Sequence, residues 1–169
     1  RRHEELVLLQ IDAHADLRDG YEGEHFSHAS AIRRVLDHPT VPIVSCGIRN
    51  ISKGEIPFLE ENKHRITIYW GKDREGWNIE EIIAPFKGRP IYLTFDLDGF
   101  DSSLMPSTGT PEPGGVFWSD AVKIIKRASE VGTIVGADIN ELAPIESLHG
   151  PDFLAAKLGY KILNYALGS

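Results

Sequence analysis

The stretch LVLLQIDAHADLRD, residues 6–19, passes from an apolar run into alternating acids around a histidine. Its first part, residues 6–11, predicts a buried β-strand. On an extended backbone successive side chains point to opposite faces, so Asp12, His14 and Asp16 are expected to project from one face at the strand end. Three polar side chains are therefore predicted to converge on one spot.

The composition indicates one globular domain over residues 1–169, with 41% hydrophobic and 25% charged residues. The net charge of −7 argues against nucleic acid as a partner and favours cationic ligands. Cys46 is the single cysteine, which excludes a disulfide framework. No run approaches the roughly 20 apolar residues of a membrane span, and no signal peptide opens the chain. We therefore expect a cytoplasmic protein without a membrane partner.

Short apolar runs alternate with amphipathic segments along the chain. The runs predict parallel strands that are covered on both faces. They are residues 6–11, 42–46, 65–69, 90–95 and 133–139. The amphipathic segments predict helices, the first with Ser27 as its capping residue. They are residues 27–38, 52–62, 78–86, 119–131 and 151–166. This alternation predicts an α/β fold with a mostly parallel sheet.

A second acidic pair, Asp96 and Asp98, follows the predicted strand 90–95, and a long Pro/Gly-rich loop, residues 105–115, comes next. Open α/β sheets bind ligands at the carboxyl ends of their strands. An Asp-x-Asp pair is also typical of turns, helix caps and Mg²⁺ sites. If both acidic groups meet, mutual repulsion raises several pKa values unless cations lie between them. Two divalent ions would neutralise four carboxylates.

The predicted ligands are carboxylates and one imidazole, without sulfur. Ligand softness favours Mn²⁺ for such a set and leaves Co²⁺, Ni²⁺, Zn²⁺ and Fe²⁺ open. The pattern therefore predicts a binuclear metal site of the kind used in hydrolysis.

Several motifs resemble the ureohydrolase family of arginases and agmatinases, and the agmatinases in particular. They are DAHADLRD (residues 12–19), SHASAIRRV (27–35), TFDLDGFD (94–101), STGTPEPGG (107–115), DINELAP (138–144) and GPDFLAAKL (150–158). The resemblance implies a three-layer α/β/α arginase-like fold and a homo-oligomer. It also implies a binuclear Mn²⁺ enzyme, an amidinohydrolase that converts a guanidinium group to urea and an amine.

The resemblance also assigns the metal ligands. Asp12 and Asp96 would bridge the two ions, Asp16 would complete the first ion's shell, and His14 and Asp98 the second ion's. In the family a further histidine ligand comes from an upstream Gly-Gly-Asp-His motif, which this sequence does not contain. We therefore expect that the strands before residue 6 are missing and that the chain is a partial catalytic domain.

The implied catalytic groups are Asp16, Glu141 and His28. Two metal ions lower the pKa of a bridging water, so that hydroxide forms at neutral pH, and Asp16 would orient it. Glu141 matches the family's guanidinium-binding glutamate, and a carboxylate pairs bidentately with that planar group. His28 would protonate the departing amine and contact the substrate.

The loop at residues 20–26 contains Glu22 and Glu24 but no Lys or Arg, and we expect it to overhang the pocket. Two acids there favour the ammonium tail of agmatine over the carboxylate of arginine, unless they merely face solvent. The predicted reaction is hydrolysis of agmatine to putrescine and urea. The alternatives are hydrolysis of arginine or a guanidino acid, amide deacetylation on the same fold, and a catalytically silent regulatory protein.

Overall fold

The computed structural model describes residues 3–168. Its five strands are β1 (Val7–Ile11), β2 (Ile43–Cys46), β3 (Ile66–Tyr69), β4 (Pro90–Asp96) and β5 (Thr133–Asn140). Its five α-helices are α1 (Ala31–Leu36), α2 (Ile56–Asn62), α3 (Ile79–Ile83), α4 (Trp118–Val131) and α5 (His149–Leu167). Each strand begins and ends within one residue of its predicted bounds.

The helix boundaries differ more from prediction than the strand boundaries. The first predicted helix begins with a short 3-10 helix, His28–Ser30, before α1. Ser27 does not cap it, because the Ser27 hydroxyl lies 3.0 Å from the hydroxyl of Ser30. The second predicted helix begins only at Ile56. At α3 the capping prediction is right, since the side chain of Asn78 accepts a hydrogen bond from a backbone N–H of the first turn.

The strands form one parallel sheet in the order β3-β2-β1-β4-β5. The chain leaves β1 toward β2 and β3 on one side, then crosses to β4 and β5 on the other. In the register of β1 and β4, Ile11 lies opposite Phe95, so Asp12 and Asp96 are neighbours at the same edge of the sheet. Ligands bind at this type of topological switch point in open α/β sheets.

Helices cover the two faces of the sheet, which confirms the predicted three-layer α/β/α fold. Helices α3, α4 and α5 pack against one face through a core that includes Leu9, Leu93 and Phe95. Helices α1 and α2 pack against the other face of β1, β2 and β3. No helix within residues 3–168 is long and apolar enough to span a membrane.

The expectation that every strand is covered on both faces is correct only for β1 and β2, which are buried throughout. Burial alternates along β4, where Leu93 and Phe95 are buried while Tyr92 and Thr94 are partly exposed. It also varies along β5, which pairs with β4 alone among the described strands. The reason is that the core under α1 and α2 is built from residues of β1–β3, and β4 contributes to it only the partly buried Tyr92.

Gly99 allows the backbone that follows β4 to approach β1. A Cβ atom at Gly99 would lie 2.8 Å from the backbone nitrogen of Asp12 and 3.0 Å from its Cα. Backbone atoms cannot rotate away as a side chain can. The absence of a side chain at Gly99 therefore determines how closely the two acidic segments meet.

We expect Gly99→Ala to lower the free energy of unfolding by about 1–3 kcal/mol, because the added methyl group forces the two backbones apart. Urea denaturation measures this change. Gly54→Ala is the matched control, since its Cβ would have no atom within 4 Å; it should change stability by less than about 0.5 kcal/mol. Equal effects of the two substitutions would show that the close approach is unimportant.

Candidate metal centre and active site

A compact group of candidate metal ligands lies where β1 and β4 end. Asp12, His14 and Asp98 each offer one ligand atom, and these atoms lie within 4.8 Å of one another. His14 Nδ1 is 3.0 Å from Asp98 Oδ2 and 3.7 Å from Asp12 Oδ1. Both aspartates are buried, whereas His14 is partly exposed. Carboxylate oxygens and an imidazole in this arrangement could hold a divalent ion.

Backbone N–H groups orient the carboxylates of this group. The backbone nitrogen of His14 donates to Asp12 Oδ1 at 2.7 Å, and that of Ala13 donates to Asp98 Oδ1 at 3.1 Å. The backbone nitrogen of Asp98 donates to Asp96 Oδ1 at 2.9 Å. Strand β1 ends at Ile11, so these turn-like bonds, and not a continued strand, bring the side chains together. The polar side chains do come together as predicted. The cause is these turn-like hydrogen bonds, whereas the sequence pattern predicts the alternation of side chains along a strand.

Burial and crowding shift the pKa values of the cluster. Burial, together with the charges of the neighbouring aspartates, raises the pKa of Asp12 well above its ordinary value. Burial also raises the pKa of Asp16 to about 7 and that of Asp96 to about 8. Burial opposes ionisation of Asp98 as well, but the hydrogen bond from His14 holds its pKa below the ordinary value. The predicted rise occurs at three aspartates, with burial as its first cause.

Asp16 and Glu141 both have a left-handed backbone conformation, with φ of +54° and +63°. This conformation costs of order 1–3 kcal/mol for a residue other than glycine and persists where its surroundings impose it. At Asp16 the carbonyl accepts from the backbone nitrogen of Arg33 at 2.9 Å. The next backbone nitrogen, that of Leu17, donates to Glu55 Oε1 at 2.8 Å. Two elements distant in sequence thus hold Asp16 in place.

A cavity of about 400 Å³ opens over the cluster and brings together seven predicted site residues. They are Asp12, His14, Asp16, Asp96, Asp98, His28 and Glu141. Asp16 and Asp96 line the cavity but lie outside the compact group whose ligand atoms are within 4.8 Å. His28 is exposed and packs edge-on against Tyr21, with ring centroids 5.7 Å apart.

The two acids predicted to bind the substrate tail, Glu22 and Glu24, are exposed and lie outside the residues that line the cavity. Tyr21 and Glu24 exchange two backbone hydrogen bonds of 2.9 Å, which close a tight turn. Glu22 lies in this turn with a left-handed backbone, φ +51°. Because of this turn, the loop contributes the ring of Tyr21 to the cavity wall in place of the two carboxylates.

Glu55 is a cavity-lining carboxylate that the sequence pattern does not reveal. Only 5% exposed, it accepts hydrogen bonds from the backbone nitrogens of Leu17 at 2.8 Å and Ser52 at 2.7 Å. Arg18 Nε lies 3.9 Å from Glu55 Oε2, and the Arg18 guanidinium lies 4.9 Å from the centroid of the Tyr21 ring. The cavity wall therefore contains a cation that is already paired with a buried acid.

Arg49 joins the loops around the site. Its Nη2 donates to the carbonyls of Asp98 and Glu112, both at 2.7 Å, and its Nε donates to the carbonyl of Pro113 at 3.0 Å. Its Nη1 donates to the carbonyl of Gly47 at 3.0 Å. Burial lowers the pKa of the guanidinium. One side chain thus connects the segment after β2, the segment after β4 and the Pro/Gly-rich loop.

The fold and the cavity define a parallel α/β protein with a candidate metal centre at the carboxyl ends of its strands. The sequence pattern of the arginase family matches residues 1–164. An N(1)-aminopropylagmatine ureohydrolase from Synechocystis sp. is 39% identical over 167 residues, which are 96% of this chain and 53% of that protein. An agmatinase from Bacillus anthracis is 33% identical over 150 residues, which are 86% of this chain and 49% of that protein.

A solved structure of an agmatine ureohydrolase is also similar to this chain. The agmatine ureohydrolase of Thermoplasma volcanium superimposes with a TM-score of 0.83 at 32% identity, over 96% of this chain and 55% of that one. The chain belongs to the arginase family, which confirms the resemblance of its motifs. It spans about half the length of the curated relatives it matches. The two curated relatives carry the names of different guanidino-amine hydrolases, so family membership leaves the substrate open.

The residues present fit a divalent metal ion on two grounds. The compact group offers hard carboxylate oxygens and one imidazole. Burial, with repulsion between neighbouring carboxylates, raises the pKa values of Asp12, Asp16 and Asp96, and a bound cation would offset both effects on the ionised forms. Neither ground distinguishes Mn²⁺ from other divalent ions of the same ligand preference.

We expect His14→Asn to weaken the tightest Mn²⁺ binding by at least about tenfold, because it removes the imidazole of the compact group. Isothermal titration of the metal-free protein measures the affinity. The exposed His149 provides the control, and His149→Asn should leave the affinity unchanged. An unaltered affinity in His14→Asn would place the ion elsewhere.

Asp101 holds together the loops beside the site, and the pH dependence of stability can test this role. Its carboxylate accepts hydrogen bonds from the backbone nitrogens of Ser103, Gly114 and Gly115. Partial burial opposes its ionisation, but these bonds and the Ser103 hydroxyl hold its pKa at about 2. Because the folded-state pKa lies below the unfolded value, ionised Asp101 stabilises the fold above the unfolded pKa. This stabilisation is lost as the pH falls toward 2.

We therefore expect Asp101→Asn to destabilise the protein at neutral pH, with a difference from wild type that shrinks between about pH 4 and pH 2. Denaturant unfolding at a series of pH values follows this difference. Asp73→Asn, at an exposed aspartate, is the control and should show a small difference at every pH. A difference for Asp101→Asn that stays constant on acidification would contradict the assigned hydrogen-bond role.

Proposed function

We propose that the chain contains the catalytic face of a metal-dependent amidinohydrolase that hydrolyses agmatine to putrescine and urea. The observation that carries the proposal is the single cavity that collects the acidic cluster, Glu141 and His28. Membership of the arginase family and the agmatinase names of several relatives support it. The net charge of −7 favours a cationic substrate.

The metal ions belong at the acidic cluster. Asp12, His14 and Asp98 would hold metal together with Asp16 and Asp96, which line the same cavity. When bound, such ions lower the pKa of coordinated water and so provide a nucleophile at neutral pH. We propose Mn²⁺ as the resident metal, on the ligand preference of this donor set.

Glu141 is the proposed partner of the substrate guanidinium. Among the cavity-lining carboxylates outside the cluster, Glu55 is occupied by two backbone N–H groups and Arg18. Glu141, by contrast, forms no ion pair within residues 3–168. A free carboxylate can accept two parallel hydrogen bonds from the planar guanidinium and hold its central carbon over the cluster.

Proton transfer completes the proposed chemistry. Addition of water to the guanidinium carbon gives a tetrahedral species, and cleavage of the bond from that carbon to the alkyl-bearing nitrogen releases urea and the amine. Asp16 would orient the attacking water. His28, which is exposed at the cavity wall and free to exchange protons with solvent, would protonate the departing amine.

N(1)-aminopropylagmatine is the second candidate substrate. Four of the relatives carry that name, with identities of 35–39%. The two candidates share the guanidinium group and differ in the tail. The position of Glu141 therefore suits both, and the cavity wall around Arg18, Tyr21 and Glu55 faces the part in which they differ.

With the expected upstream segment and its histidine ligand present, we expect the Mn²⁺-loaded protein to release urea from agmatine or N(1)-aminopropylagmatine and to release little from arginine, whose carboxylate would meet the acidic cavity. A colorimetric urea assay with the three substrates tests the proposal. Urea release that is fastest with arginine would contradict a preference for amines, and no release from any substrate would favour a regulatory role.

We expect Glu141→Gln to lower kcat/KM by about 10- to 100-fold, because it replaces a charged hydrogen-bond acceptor for the guanidinium with a neutral one. Mn²⁺ binding should persist, since this substitution leaves the cluster intact. The exposed Glu146, on the same loop, gives the control Glu146→Gln, which should retain wild-type kinetics. Wild-type kinetics in Glu141→Gln would exclude this residue from the site.

A further inference from the structure

Gln10 is a polar residue inside an otherwise apolar strand. It lies in β1 with only 1% of its surface exposed, and the other four residues of β1 are apolar. A buried amide is costly unless its oxygen and nitrogen find hydrogen-bond partners. The partners of Gln10 therefore indicate why an amide occupies this position.

The amide of Gln10 links β2 to the acidic cluster. The hydroxyl of Ser45, its register partner in β2, donates to Gln10 Oε1 at 2.6 Å. Gln10 Nε2 in turn donates to Asp12 Oδ2 at 2.9 Å and to the carbonyl of His14 at 3.1 Å. A hydroxyl that donates to the amide oxygen determines which way the amide points, so the two N–H donors face the cluster.

The hydrogen bond from Gln10 orients the carboxylate of Asp12, which lies between the two acidic segments. Asp12 Oδ1 already accepts a hydrogen bond from the backbone nitrogen of His14 at 2.7 Å. With Gln10 on Oδ2, each oxygen of Asp12 has a donor and the rotation of the carboxylate is restricted. The bond to the His14 carbonyl restrains the segment that supplies the imidazole.

We infer that Gln10, oriented by Ser45, is a positioning residue that presents the Asp12 carboxylate and the His14 segment to a divalent metal ion. The inference rests on the proposed metal-dependent function. Groups that hydrogen-bond to metal ligands raise affinity by reducing the reorganisation needed on binding, and their loss typically weakens binding 10- to 100-fold. Gln10 meets this description through direct bonds to two of the three residues in the compact group.

The first test measures Mn²⁺ affinity in Gln10→Met, which keeps the length of the side chain and removes both amide groups. Isothermal titration should show binding weakened about 10- to 100-fold relative to wild type. Urea unfolding in the presence of a chelator reports metal-free stability separately. A role limited to packing predicts lower metal-free stability with unchanged affinity, and that result would overturn the inference.

Ser45→Ala is the second variant, and it preserves the test if Gln10→Met does not fold. Without the hydroxyl the amide loses its preferred orientation, so the affinity should fall in the same direction but by a smaller factor. In the Gln10→Met background, Ser45→Ala should cause no further loss of affinity, because the hydroxyl acts through the amide. Independent, additive losses would contradict the proposed chain of hydrogen bonds.

Thr94→Val is the matched control. Thr94 is the register partner of Gln10 in β4, and its hydroxyl donates to Asp138 at 2.8 Å, outside the compact group. This substitution removes a hydrogen bond at the same level of the sheet and should change Mn²⁺ affinity less than twofold. An equal loss in Thr94→Val would overturn the specific role of Gln10. A wild-type protein that binds no divalent ion would instead overturn the proposed function, and the inference with it.

Discussion

The candidate site depends on a single guanidinium placed among backbone carbonyls. Arg49 donates to carbonyls of the segments after β2 and β4 and of the Pro/Gly-rich loop. Loop carbonyls have no sheet or helix partner, and a planar fork of donors satisfies several of them together. Because the carbonyl of Asp98 is held by Arg49, its carboxylate is free to point toward His14. The frame of the loops and the orientation of the ligands therefore share one cause.

This frame imposes an electrostatic cost on the site. Four aspartates line one cavity, and burial raises the pKa of three of them. His14 stabilises the ionised form of Asp98 through a hydrogen bond and its charge, and it opposes the rise in the pKa of Asp16 through its charge alone. Such a cluster destabilises the metal-free fold near neutral pH and gains most from a bound cation. The same burial and crowding that disfavour the ionised cluster would thus favour binding of a cation.

Local sequence patterns predict the fold, but they do not predict the residues that hold the site in place. Strand positions are predictable because short apolar runs mark buried strands, and the five predicted ligands lie close together in two short motifs. Glu55 and Arg49 escape prediction because their partners lie 38 and up to 64 residues away in sequence. The predicted role of Glu22 and Glu24 fails to find support because a tight turn keeps both outside the cavity. Charge in a loop does not reveal where the backbone points.

Under the proposed function, differently paired charges in the cavity would meet the guanidinium and the tail of a substrate. Outside the aspartate cluster, Glu141 is the cavity-lining carboxylate without an ion pair within residues 3–168, so it would be available to a guanidinium. At the wall, Arg18 and Glu55 neutralise each other, and Tyr21 adds an aromatic face. The chain as a whole is acidic, but the charges on this part of the wall are already paired. Under the proposed function, a tail cation would compete with Arg18 for Glu55, and we propose that tail length and charge position would then distinguish one guanidino amine from another.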